Sequence, residues 1–520
     1  MTKFKQSRRT FLGSTAAVGT AGLLFPLGSG SVSWADGKKV LKCRAVRDMA
    51  ILDPGYMVGG VESDIQFALM PTLVDYDRDD GGNLKAIPSG YVSKIEHSDP
   101  THIEFTLIPG LQWSNGFGEL TAEDVKFSLE RMKNTEWSGY FTLMEGVEVK
   151  DRYSGTIVMS APYAPFWYSG LPNVAMIQCK KALEGLESGQ YTTEIPATCG
   201  PYLYEWRPTD RVVFTRNPEW TGPEADFDEI HYILIEEDQT AELAFEAGEV
   251  DCTVVSTTTY ARYLKSPPPN TTIVVPGALN WKWLGMNTEH PKLQDIRVRK
   301  AIQYAVDVDA INEGAYSNTA IKSHGIVCPG LAGQRKESKY SYDPEKARVL
   351  LKEAGVSGLQ LDLKLQNIPE WVLAAQIIQA NLQAVGIDVK VIPLDPGPFW
   401  DMGQESKGDT WKDLQIWIMR YGTSPDAGEG FQWYLKDQVG VWNWERWTNA
   451  EFDELYHEGK TETDPNKRIQ IYLRMQEIME DTGAYVWINH EPEVFAYRDD
   501  YHMQITPGGN YEFSRSRASA

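Results

Sequence analysis

Between residues 361 and 391 the hydrophobic period changes from two to about 3.6 and back, and this pattern constrains the fold more than any other stretch. Leu361, Leu363 and Leu365 alternate with other residues, as do Ile387, Val389 and Val391. The segment between them, about Trp371 to Val385, reads as a helix. Strand, helix, strand at this spacing predicts a βαβ unit with parallel strands, because the helix carries the chain back along the sheet. The carboxyl ends of such strands are where small ligands bind.

Other elements follow from capping and periodicity. Thr121-Ala-Glu-Asp124 has the form of a capping box, with Val125, Leu129 and Met132 on one face. Asp295 precedes Val298, Ile302, Ala305 and Val306 at helical spacing. Asp343-Pro344 starts a helix whose buried stripe is Ala347, Leu350, Leu351 and Ala354, and Gly355 ends it. The stretches 448–451 and 464–465 repeat this start. Ile103, Phe105 and Leu107 alternate as a strand that Pro109-Gly110 stops.

The first residues predict export. Ser7-Arg8-Arg9-Thr10-Phe11-Leu12 is a twin-arginine motif, Lys3, Lys5, Arg8 and Arg9 form a positive region without an acid, and an apolar Gly- and Ala-rich run follows. Ser33 and Ala35 supply small residues for cleavage near Ala35, which makes residues 1–35 a signal peptide. The run is short and broken by Pro26, and no later stretch reaches the roughly 18 to 20 apolar residues that span a bilayer. A soluble mature protein in the periplasm is expected.

About 485 mature residues exceed one ordinary core, so two or three lobes are expected. The formal net charge of −22 grows more negative once the leader's cations are removed, which argues against nucleic-acid or anionic membrane surfaces as partners. Seventeen Trp and 25 Tyr supply a core and leave aromatics for a ligand cleft. The five cysteines form no CxxC pair, and none has a histidine at metal-ligand spacing, so neither metal nor cofactor is expected. There is no GxSxG elbow, no phosphate loop and no dinucleotide fingerprint, and the eight histidines are scattered. These absences point away from an enzyme.

Five stretches then carry a resemblance. Residues 107–116 (LIPGLQWSNG) with 120–129 (LTAEDVKFSL), 199–203 (CGPYL) with Arg216-Asn217-Pro218, 243–251 (LAFEAGEVD), Met286-Asn287-Thr288 with 296–302 (IRVRKAI), and 342–347 (YDPEKA) with Gly355 occur in collinear order. Together they resemble solute-binding protein family 5, the dipeptide-, oligopeptide- and nickel-binding receptors of ABC importers. The resemblance implies an α/β, periplasmic-binding-protein-like Venus flytrap of type II with an extra inserted domain. Domain I would comprise 36–80, 200–284 and 488–520, domain II 81–199, and domain III 285–487. It implies a monomer that closes on a small solute (a peptide, modified amino acid, opine-like compound or oligosaccharide) and delivers it to permease subunits. A twin-arginine-exported enzyme and a receptor serving a sensor are the alternatives.

In peptide-binding members an Asp just after an aromatic residue in domain III pairs with the ligand amine. The matching stretch runs from Arg420 to Ala427. Asp426 matches a later Asp there, or caps the turn after Pro425, and the amine slot falls on Thr423 or Ser424, neither of them a carboxylate. Tyr421, Trp433, Trp281 and Trp283 are candidate ligand platforms, and Arg420 is a candidate partner for a ligand carboxylate. The resemblance further suggests a disulfide between Cys43 and Cys252, with Cys179–Cys199 as a second pairing and Cys328 left free.

Overall fold

The computed structural model describes residues 38–57, 59–78 and 84–519. The export motif and the cleavage point near Ala35 lie outside the described residues. The fold is mixed α/β, organised around three large sheets.

The first sheet has seven strands in the order Tyr202–Arg207, Arg211–Arg216, Glu229–Leu234, Val40–Ala45, Cys252–Val255, Glu493–Arg498 and Thr271–Gly277. It draws on the beginning, middle and end of the described chain. The second sheet is antiparallel, its four strands in the order Val92–Asp99, His102–Leu107, Ser154–Met159 and Met144–Val149. Ile103, Phe105 and Leu107 point from it into a core that also holds Val125, Leu129 and Met132 of helix Ala122–Met132. That helix starts as its sequence indicates: the Asp124 carboxylate accepts from the Thr121 backbone N–H at 2.9 Å and from the Thr121 hydroxyl at 2.9 Å.

The third sheet runs Ile321–Lys322, Tyr485–His490, Asn280–Met286, Ile416–Gly422, Leu359–Gln366 and Ile387–Leu394. Leu359–Gln366 and Ile387–Leu394 pair in parallel, joined by helix Pro369–Ala384, which is the βαβ unit read from the sequence. Leu361, Leu363 and Leu365 turn inward and are at most 2 % exposed. Asp343 accepts from the Lys346 backbone N–H at 2.9 Å, and Asn449 and Asp464 do the same for Phe452 and Asn466, which fixes the starts of three helices around this sheet.

Two chain crossings join the first sheet to the third. Thr271–Gly277 leads into Asn280–Met286, and Tyr485–His490 leads back into Glu493–Arg498. One side chain binds the two crossings together. Asn280 donates from Nδ2 to the Glu491 carbonyl at 2.7 Å and accepts at Oδ1 from the Glu491 N–H at 2.9 Å. Its own carbonyl lies 2.7 Å from His490 Nδ1.

Candidate ligand-binding site

A cavity of about 670 Å³ opens beside these crossings. Ile368, Glu370 and Trp371 follow strand Leu359–Gln366, and Thr423 follows its parallel neighbour Ile416–Gly422. The cavity therefore sits at the carboxyl ends of two parallel strands, where the sheet edge leaves space between side chains. Thr257, Gly277, Glu493, Pro507 and Gly508 close it from the side of the first sheet.

The charges in its wall are arranged around Glu491. Arg420 Nη1 donates to Glu491 Oε2 at 2.8 Å, and the buried Lys282 ammonium donates to the other oxygen. Lys282 Nζ also donates to the Tyr316 hydroxyl at 2.7 Å and stands over the Tyr316 and Trp371 rings. Burial pushes this ammonium down to about 8, against the attraction of Glu491. Burial alone would raise the Glu491 carboxyl, but Lys282 and Arg420 hold it below its ordinary value. Thr423 gives its N–H to the Leu279 carbonyl at 2.9 Å, while its buried hydroxyl has no partner among the described residues.

Ser424, one residue on, faces a different neighbour. Its hydroxyl donates to Glu429 and lies 2.7 Å from the hydroxyl of Ser169, which belongs to the chain segment around the second sheet. Tyr140 also donates to Glu429, at 3.3 Å. Burial, reinforced by the charge of Asp426, pushes the Glu429 carboxyl up to about 7. A smaller cavity of about 290 Å³, lined by Trp137, Tyr140, Tyr163, Glu429, Tyr456 and Lys460, lies beside this contact.

Of the residues expected to hold ligand, Arg420 and Thr423 reach the larger cavity and the others do not line it. Trp281 and Trp283 are core residues, 0 % and 1 % exposed. Their indole N–H groups donate to the Tyr434 hydroxyl at 2.9 Å and to Glu445 at 2.7 Å. The alternation that puts Lys282 beside the cavity turns both tryptophans to the opposite face of the strand. Tyr421 is also on that face, boxed by Trp283, Trp400, Trp433 and Trp442, and donates to the Trp442 carbonyl at 2.9 Å. Trp433 is half-buried in this aromatic group.

Asp426 is a buried structural carboxylate. Oδ1 accepts from the Gly428 N–H at 2.7 Å, the turn contact anticipated after Pro425, and Oδ2 accepts from Arg468 Nη2 at 2.6 Å. Arg468 had no distinguishing signal in the sequence. Glu491-Pro492-Glu493 and Glu370 were equally unmarked, although two carboxylates flanking a proline between strands hint at a crossing.

Cys43 and Cys252 stand opposite each other in neighbouring parallel strands, both fully buried, and Cys252 Sγ lies 3.5 Å from the Tyr511 hydroxyl. All five cysteines are buried free thiols in this structure.

Comparison with known proteins places this geometry. The model of the bacterial extracellular solute-binding proteins, family 5, matches residues 91–442. The dipeptide-binding protein of Escherichia coli K12 is 25 % identical over 447 residues, covering 79 % of this chain and 82 % of that protein. The heme-binding protein A of Haemophilus influenzae is 24 % identical over 403 residues, 72 % of each chain. Among solved structures, HbpA2 of Haemophilus parasuis superposes with a TM-score of 0.80 at 22 % identity, covering 92 % of this chain and all of that one. The chain belongs to the bacterial extracellular solute-binding proteins of family 5, the substrate-binding components of ABC importers.

Proposed function

We propose that this chain is a periplasmic receptor that captures a small organic solute in the 670 Å³ cavity and presents it to the permease subunits of an importer. The observation that carries the proposal is the position of the cavity, at the carboxyl ends of two parallel strands and against both chain crossings. Closure of the first-sheet side onto the third-sheet side would enclose a solute there, with the crossings as hinges. Its volume falls within the range of small-molecule sites. In this reading the protein acts by binding alone and as a monomer. Its domains are 36–80 with 200–284 and 488–520, then 81–199, then 285–487. The twin-arginine leader would carry it out of the cytoplasm. Among the described residues, no helix is long and apolar enough to cross a membrane.

The test is mass spectrometry of protein isolated from the periplasm, run native and then denatured. A small organic molecule present at about one per chain and released on denaturation supports the proposal. Exchange of that molecule should be blocked by Thr423→Trp, which fills the cavity mouth. Exchange unaffected by this substitution would place the solute elsewhere.

A further inference from the structure

We infer that the solute held in this cavity is cationic, carrying an amino, guanidinium or quaternary ammonium group without a carboxylate that needs its own partner. The inference rests on the proposed function, because it concerns the same cavity. Four charged side chains line that space: Glu370, Arg420, Glu491 and Glu493. The Arg420 guanidinium is engaged by Glu491, and so is the Lys282 ammonium behind the wall. This leaves Glu370 on the third-sheet side and Glu493 on the first-sheet side, and neither makes an ion pair among the described residues.

The two walls thus each present a carboxylate that makes no ion pair, and every cation lining the cavity is already paired among the described residues. A ligand carboxylate would have to displace Glu491 from Arg420 and would then stand among three acidic side chains. A ligand cation would meet Glu370 and Glu493 directly, in a space where partial exclusion of water strengthens the attraction. The strongly acidic chain adds to the same preference at longer range. The remaining polar contacts are neutral. The Thr423 hydroxyl lacks a partner among the described residues, and the Tyr316 hydroxyl accepts from Lys282 and keeps its own proton to give.

The site also differs from one built for both ends of an ordinary peptide. At the peptide-amine slot, which falls on Thr423 or Ser424, neither residue is a carboxylate, and the Ser424 hydroxyl is already committed to Glu429. Glu429 in turn accepts from Tyr140 at the neighbouring contact. Acidic side chains without an ion pair among the described residues line the cavity beside Thr423 instead: Glu370, and Glu493, whose carboxyl burial pushes up to about 7.

The experiment is calorimetric titration of the mature protein, freed of co-purified solute by reversible denaturation, with three probes of similar size. They are Arg-Leu amide, doubly cationic; N-acetyl-Leu-Leu amide, neutral; and N-acetyl-Glu-Leu, doubly anionic. The cationic probe should bind at least tenfold more tightly than the neutral one, with the anionic probe weaker still. The double substitution E370Q/E493Q should lower affinity for the cationic probe at least tenfold and leave the neutral probe within threefold. Its ligand-free melting temperature serves as a fold check. Equal or tighter binding of the neutral or anionic probe overturns the charge assignment and leaves the receptor reading intact. If none of the three binds and no solute co-purifies, both fall. A misfolded double variant leaves the wild-type probe order as the deciding measurement.

Discussion

Asp426→Ala removes the anion that the buried Arg468 guanidinium faces at 2.6 Å. The side chains of the pair are 0 % and 6 % exposed, so water does not replace the lost partner. Arg468 would retain the Gly459 carbonyl at 3.1 Å and the Tyr472 hydroxyl at 2.5 Å, both neutral. The Gly428 N–H would lose its acceptor as well. Breaking one side of a buried pair costs about 3–5 kcal/mol. With an unfolding entropy of about 2.1 cal/mol/K per residue over about 480 residues, that is a fall of roughly 3–5 °C in melting temperature if the chain unfolds as one cooperative unit. Differential scanning calorimetry on ligand-free protein measures it. The double substitution Asp426→Ala with Arg468→Leu removes the stranded charge and should recover much of the loss, whereas Arg468→Leu alone strands the carboxylate. An unchanged melting temperature for Asp426→Ala, together with lost solute affinity, would refute the structural assignment and make Asp426 a ligand contact.

Three further expectations follow from the same geometry. Burial and the charge of Asp426 hold the Glu429 carboxyl at about 7 instead of its ordinary 4.5, against the Ser424 and Tyr140 hydroxyls, which donate to it and favour its ionised form; protonation in the folded state therefore stabilises the protein at low pH, fully below about 4.5, and this fades as pH rises through 7, a contribution on the order of 3 kcal/mol. Asp426 and Lys460 face the same carboxyl, so the wild-type minus Glu429→Gln difference in melting temperature between pH 5 and 8 isolates it, and a flat difference would refute it. Glu491→Gln frees both Arg420 and Lys282, so the variant should gain affinity for N-acetyl-Glu-Leu by calorimetry, and continued exclusion of that probe would show that Glu491 does not mask them. Non-reducing peptide mapping of periplasmic protein should recover Cys43 joined to Cys252; closing a loop of about 200 residues contributes about 5 kcal/mol in the chain-entropy model, so a reductant should lower the melting temperature by about 5 °C, and recovery of both as free thiols would rule the bridge out.

Features set by local periodicity were legible before the structure. The alternating leucines around 361–365 and the caps at Asp124, Asp343 and Asp464 depend on neighbours a few residues away, and each stands where the sequence pattern puts it. The cavity wall is different in kind. Glu491 meets Arg420 and Lys282 across 71 and 209 residues of chain. No local pattern distinguishes it from the many solvated acids of this sequence. Trp281 and Trp283 show the complementary difficulty. Their alternation marks a strand correctly, but both faces of that strand are covered, so alternation alone does not say which face meets the ligand. Arg420 and Thr423 come from the resemblance of 420–427 to the family's amine-binding stretch, while their partners depend on the tertiary fold.

The short arch from Tyr485 to Arg498 supplies an inner strand to two sheets at once. Tyr485–His490 lies between Ile321–Lys322 and Asn280–Met286, and Glu493–Arg498 lies between Cys252–Val255 and Thr271–Gly277. Both sheets therefore lack an inner strand until residues 485–498 have been synthesised. Closing them depends on contacts distant in sequence, which makes the last step of folding slow relative to local helix formation. A nascent chain stalled before residue 485 would leave unpaired the strands on both sides of each gap, four inner edges in all, the type of surface that chaperones hold and that aggregates when they do not. The arch thus makes the binding cavity depend on late-made strands: Glu491 and Glu493 reach its wall only after residues 485–498 have emerged.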